Sequence, residues 1–92
     1  MAFIDDVKAR LRISGTNFDT EITQLIASAK HDLLTAGVSA SAIEETDPKI
    51  REAISLYIKS RFGIENPDSE KYWKSYESEK AELLVSPDYT GF

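Results

Sequence analysis

The chain has no cysteine, so neither a disulfide framework nor a thiolate metal site is available to it, a composition that suits a reducing cytosol. Its one histidine is His31. A metal site needs about three or four ligands and a general base needs an orienting partner, and nothing near His31 in the sequence completes either set. It is read as a surface or boundary residue. Positive charge is also scarce: Lys and Arg number 11 against 16 Asp and Glu, for a formal charge of −5 and a pI of about 4.8. That balance opposes adhesion to nucleic acid or anionic lipid, and no helix of the pattern presents the basic face of a helix-turn-helix reader. No apolar run approaches the ~20 residues that cross a bilayer, and the opening MAFIDDVKAR carries acids where a signal peptide wants bases. The expectation is a soluble protein made in the cytoplasm, with no membrane contact. Glycine is sparse as well. Gly15, Gly37 and Gly63 fall at element boundaries and Gly91 near the end, leaving none for a phosphate-cradling loop, and no cofactor is expected.

What is present is helical punctuation. From Asp47 to Gly63 the sequence DPKIREAISLYIKSRFG supplies an N-cap acceptor, a proline suited to the first helical position and a glycine able to take the left-handed conformation at the end. Ile50, Ala53, Ile54, Tyr57, Ile58 and Phe62 recur at steps that place them on one side of a 3.6-residue helix. A first helix is predicted from Ile4 to about Ile13, with Asp5 and Asp6 early and Lys8, Arg10 and Arg12 late, in favourable order for the helix dipole. A second, capped by Thr16 or Asn17, is predicted from about Phe18 to Ala36, its apolar face formed by Phe18, Ile22, Leu25, Ile26, Ala29, Leu33 and Leu34. Val38 to Thr46 reads as a loop with at most one helical turn, Ile43 plugging into the core. Beyond Gly63, after Ile64 and Glu65, Asn66 and Pro67 open a last helix running to about Val85, with Tyr72, Trp73, Tyr76, Ala81, Leu83 and Leu84 as its apolar positions. Pro87 stops it, leaving SPDYTGF as a flexible tail. The expectation is one all-α domain over residues 1–92, a small bundle of about four helices, whose core is small enough that a partner surface would help it.

No constellation in the chain reads as catalytic. The neighbouring carboxylates Asp5 with Asp6, Asp19 with Glu21 and Glu44 with Glu45 point apart on a helix and are read as solvated faces. Asn66, Asp68 and Glu70 alternate but lack the glycine and spaced glutamate of a calcium loop. Asp68-Ser69 matches part of a carrier-protein attachment motif, yet Glu70 follows and the dipeptide opens the last helix rather than the second. Tyr72, Trp73 and Tyr76 admit two readings, core packing or a subunit interface, since aromatic residues are enriched in both. Tyr89 and Phe92 are apolar anchors by which a tail could grip a partner.

Taken together, the stretches FIDDVKARLRISGTNFDTEITQLIASAKHDLLTAGV, DPKIREAISLYIKSRFG and YESEKAELLVSPDY resemble the small phage head-tail connector proteins, also described as DNA-packaging or head-completion adaptors. The resemblance implies a structural protein rather than an enzyme. It implies a closed homo-oligomeric ring of about a dozen copies at the head-tail junction of the virion, formed either by the protein alone or only when monomers dock on the portal as template. The implied partners are the portal, a tail-completion or stopper protein, and double-stranded DNA that passes through the channel without being read. Tyr72, Trp73, Tyr76, Tyr89 and Phe92 are then the expected subunit or portal contacts. The rival reading is a small acidic adaptor or carrier-like regulatory module of a bacterial cell.

Overall fold

A computed structural model of the chain describes residues 3–63 and 66–91. Ile64, Glu65 and the anchor expected at Phe92 lie outside them. In order the elements are α1 (Phe3–Leu11), α2 (Asp19–Ala36), a 3₁₀ turn (Ala40–Ala42), α3 (Pro48–Arg61), α4 (Ser69–Leu84) and α5 (Pro87–Thr90), with no strand among the described residues. The all-α bundle with four long helices is what the sequence pattern predicts.

Helix α3 is the centre of the bundle. Asp47 accepts hydrogen bonds from the backbone N–H groups of Lys49 (2.9 Å) and Ile50 (3.3 Å), which satisfies two donors that a helix start otherwise leaves free. Pro48 fills the first position, Lys59 and Arg61 lie in the last turn, and Gly63 turns the chain away at φ +96°. Between these signals Ile50, Ala53, Ile54 and Ile58 are wholly buried. Each of the three isoleucines contributes about 1.5–3 kcal/mol by leaving water. The other faces of the rod determine the architecture: α4 packs most extensively on α3, α2 next, and α1 covers the rest. From the surrounding helices Phe3, Val7, Ile22, Ala29, Leu33, Tyr76 and Leu83 are buried against it.

Boundaries differ from the expected ones where local signals compete with packing. Helix α1 ends at Leu11 because Arg12 takes a left-handed conformation, φ +59°, and the N–H groups of Arg12 and Ile13 bond back to Ala9 and Lys8 (3.1 and 2.9 Å), a closure usually made by glycine. Helix α2 starts after Phe18, and neither Thr16 nor Asn17 caps it with a side chain; Thr16 offers only its carbonyl, to Asp19 N–H at 3.2 Å. The cap expected at Asn66 serves a different purpose. Its amide nitrogen donates to Lys59 O at 2.6 Å, while its side-chain oxygen accepts from Asp68 N–H at 3.2 Å, so it ties the end of α3 to the start of α4. In the 38–46 segment the deeply buried residue is Val38, and Ile43 is only partly covered. Ala81 faces solvent.

The segment expected to be a flexible tail is the largest departure. Pro87–Thr90 forms a turn of helix, and the Tyr89 carbonyl accepts the Ser39 N–H at 2.7 Å. The Tyr89 ring packs against the core, and its hydroxyl donates to both carboxylate oxygens of Asp47, at 3.1 and 3.0 Å. One carboxylate therefore caps α3 and holds α5.

Candidate interaction surface

The three aromatic residues expected on α4 separate by depth. Tyr76 is wholly buried, whereas Tyr72 and Trp73 are half-buried, so Tyr76 offers no surface to a neighbour, a correction to its place among the expected contacts. Its ring meets those of Trp73 and Tyr57, each at 5.3 Å between centroids, and Tyr57 lies 6.1 Å from Trp73. These are favourable aromatic separations across the α3–α4 seam. The Arg61 guanidinium covers the cluster from outside, 4.7 Å from the Tyr57 centroid and 5.0 Å from that of Trp73. Lys59 sits 5.5 Å from the Tyr72 ring. Tyr57 belongs to the core stripe by its spacing, and the (i, i+4) separation of Tyr57 and Arg61 is the sequence signal that brings the guanidinium to the ring.

Beneath the rings, the Tyr76 hydroxyl donates to Asp32 Oδ2 at 2.5 Å, and Lys80 Nζ reaches the same oxygen at 3.2 Å. Burial pushes the Tyr76 phenol above its ordinary value and the Asp32 charge adds to the shift. Partial burial would raise Asp32 too, but the bonds from Tyr76 and Lys80 and the charges of Lys80 and Arg61 outweigh it and hold the carboxyl below the usual range. The cluster is thus a polar tie inside the bundle.

His31 is exposed and lines a groove open to solvent with Ala27, Ser28, Asp32, Thr35 and Tyr57. Of the carboxylates read as solvated faces, Asp5, Glu21, Glu44 and Glu45 are exposed, whereas Asp6 and Asp19 are half-buried, each with one oxygen shielded from solvent; Asp6 pairs with Arg10 and Arg51, each at 3.2 Å, Asp19 with Lys8 at 2.8 Å, and Glu45 with Lys30 at 2.5 Å. Ser69 is half-buried beside Arg61 and Trp73, a crowded position for a carrier attachment. Among the described residues no group of His, Asp and Glu is placed to hold a metal ion, and no helix is long and apolar enough to cross a membrane.

The surface keeps apolar side chains that the bundle does not cover. Phe18 and Leu34, both expected on the buried face of α2, are 46% and 48% exposed, and Val85 is 82% exposed. Phe18 leans edge-on against Phe62 at 5.4 Å.

A family model described as phage connector protein matches residues 3–90. No curated protein and no solved structure matches the chain. The match runs from the first turn of α1 through the docked α5, the whole of the bundle described above, and on that ground this chain belongs to the phage connector protein family.

Proposed function

We propose that this protein is a structural adaptor at the head-tail junction of a tailed-phage virion. Acting as one helical domain, copies form a closed ring of about a dozen beneath the portal, complete the head after the genome is packaged, and present a platform to a stopper or tail-completion protein. The observation that carries the reading is the family match over residues 3–90. The exposed Phe18, Leu34 and Val85 support it, because apolar residues left uncovered by a monomer are the usual material of subunit contacts. The net charge of −5 suits a channel that lets DNA pass, since a lumen that repels phosphates does not hold them.

The test is direct mixing. Incubated with its cognate portal ring and imaged by electron microscopy, the protein is expected to add a ring of density coaxial with the portal. Portal rings that stay undecorated at micromolar protein would overturn the proposal.

A further inference from the structure

Two grooves of opposite charge lie at the two ends of α3. At its C-terminal end, Leu11, Phe62 and Tyr72 line a groove whose cationic side chains include Arg12 and Lys59. At its N-terminal end, Ala42 and Tyr89 line a second groove with the carboxylates Glu44, Asp47 and Asp88. The 14 residues of α3 separate the grooves by about 20 Å along the helix axis.

The polarity is more than the ordinary complement of one helix dipole. Of the charged residues named, only Lys59 belongs to α3 itself, with Asp47 as its cap; Arg12 follows α1, Glu44 follows the 3₁₀ turn and Asp88 is on α5. Within the subunit Asp47 is engaged as the cap of α3 and the acceptor of the Tyr89 hydroxyl, and Lys59 lies over the Tyr72 ring, but Arg12, Glu44 and Asp88 make no such contact among the described residues. Among the described residues neither Arg12 nor Lys59 has a carboxylate within ion-pair distance, and neither Glu44 nor Asp88 has a cation there, although eight other ion pairs form. Arg12 keeps its long cationic side chain at φ +59°, where glycine would be the less strained choice.

We infer that the basic face around the first groove meets the acidic face around the second on the next copy, so that Arg12 and Lys59 lie opposite Glu44 and Asp88 head to tail. The inference rests on the ring reading above and assigns its contact faces. The occupant is a second copy because both halves of a complementary pair are present on one chain, and two different surfaces that fit each other generate a heterologous contact, the kind that forms a ring when the rotation between successive copies closes on a full turn. Each groove is lined by apolar as well as charged side chains, Phe62 and Tyr72 in one and Ala42 and Tyr89 in the other, the mixture that interfaces between proteins use. Opposite charges at this distance from the core steer encounter and select the register.

The experiment uses the full chain and follows self-association by sedimentation across a concentration series, with circular dichroism to verify folding. The double reversals Arg12→Glu with Lys59→Glu, and Glu44→Lys with Asp88→Lys, are each expected to weaken association at least tenfold, and the chain carrying all four substitutions to recover it. Arg12→Gly is expected to raise the melting temperature while weakening association. Either double reversal associating as the wild type does, or no recovery in the fourfold variant while it stays folded, would overturn the assignment. A reversal that fails on this test while the wild-type protein still decorates portal rings removes the contact faces and leaves the ring; bare portal rings remove the ring itself.

Discussion

The hydroxyl of Tyr76 donates to Asp32 at 2.5 Å, joining α4 to α2 across a separation of 44 residues in the chain. The two helices otherwise approach at few points, because both pack on α3, so this bond and the Lys80 contact beside it set how α4 is rolled against the bundle. Hydrogen bonds to a charged acceptor contribute about 1.5–3 kcal/mol.

Tyr76→Phe is therefore expected to lose about 2 kcal/mol at neutral pH, the ring packing being kept. The pH dependence has a definite sign. Asp32 is held below its ordinary value, so the stability it contributes is complete above about pH 4 and is lost as the pH falls through the lowered value. Tyr76 is held above its ordinary value, so its contribution is complete below about pH 10 and is lost in stronger alkali. Urea titrations at pH 7 and pH 3 should show the gap between wild type and variant narrowing in acid; an equal gap at both would contradict the assignment.

Residues 87–91 belong to the fold. Because Tyr89 packs on the core and shares Asp47 with the cap of α3, ending the chain at Ser86 is expected to lower the melting temperature by about 5–10 °C, as about 1–2 kcal/mol does in a domain of this size. Tyr89→Phe and Asp47→Ala should each destabilise, by about 1 and 1–2 kcal/mol. Their sum should exceed the loss in the double variant, since one carboxylate serves both bonds. Strict additivity by chemical denaturation would show the two roles to be separate.

Ser55 is a buried residue of α3, 3% exposed, whose hydroxyl has no hydrogen-bond partner among the described residues. A buried hydroxyl left unpaired costs about 1–3 kcal/mol, and alanine is the better helix former. Ser55→Ala is expected to stabilise the protein by about 1 kcal/mol, visible as a higher denaturant midpoint with an unchanged slope. A loss of stability would mean that the hydroxyl is satisfied.

Trp73→Ala removes a half-buried ring that touches Tyr57, Tyr76 and Arg61. The cost should be about 2–3 kcal/mol, below the 3–5 kcal/mol of a fully buried tryptophan. Calorimetry of the monomer measures it. A change under 0.5 kcal/mol would move Trp73 from the fold to an interface between copies.

The long helices were readable in the residue order because their signals are short-range. Asp47-Pro48 at one end of α3 and Gly63 beyond the other act within a single turn, and Ile50, Ile54 and Ile58 mark the buried side by their spacing alone. The resemblance of the three quoted stretches to head-tail connectors was legible for the same reason, since it is carried by the order of such helices, and the family match over residues 3–90 agrees with it. Other features were not legible. Asn66 resembles an N-cap in isolation, and only the return of α4 against α3 shows it bonded to Lys59 O. Phe18 and Leu34 have the correct period for a buried face and remain exposed because the bundle has no further helix to cover them.

Periodicity and end signals, which act over a few residues, dictated four rods and the apolar stripe on each. Folding decided which charges and rings would meet: Asp32 with Tyr76, Asp47 with Tyr89, and Arg61 over Trp73. The first two pairs are separated by more than forty residues, and such partners become neighbours only after burial of the α3 stripe has paid the entropy of closing the chain between them.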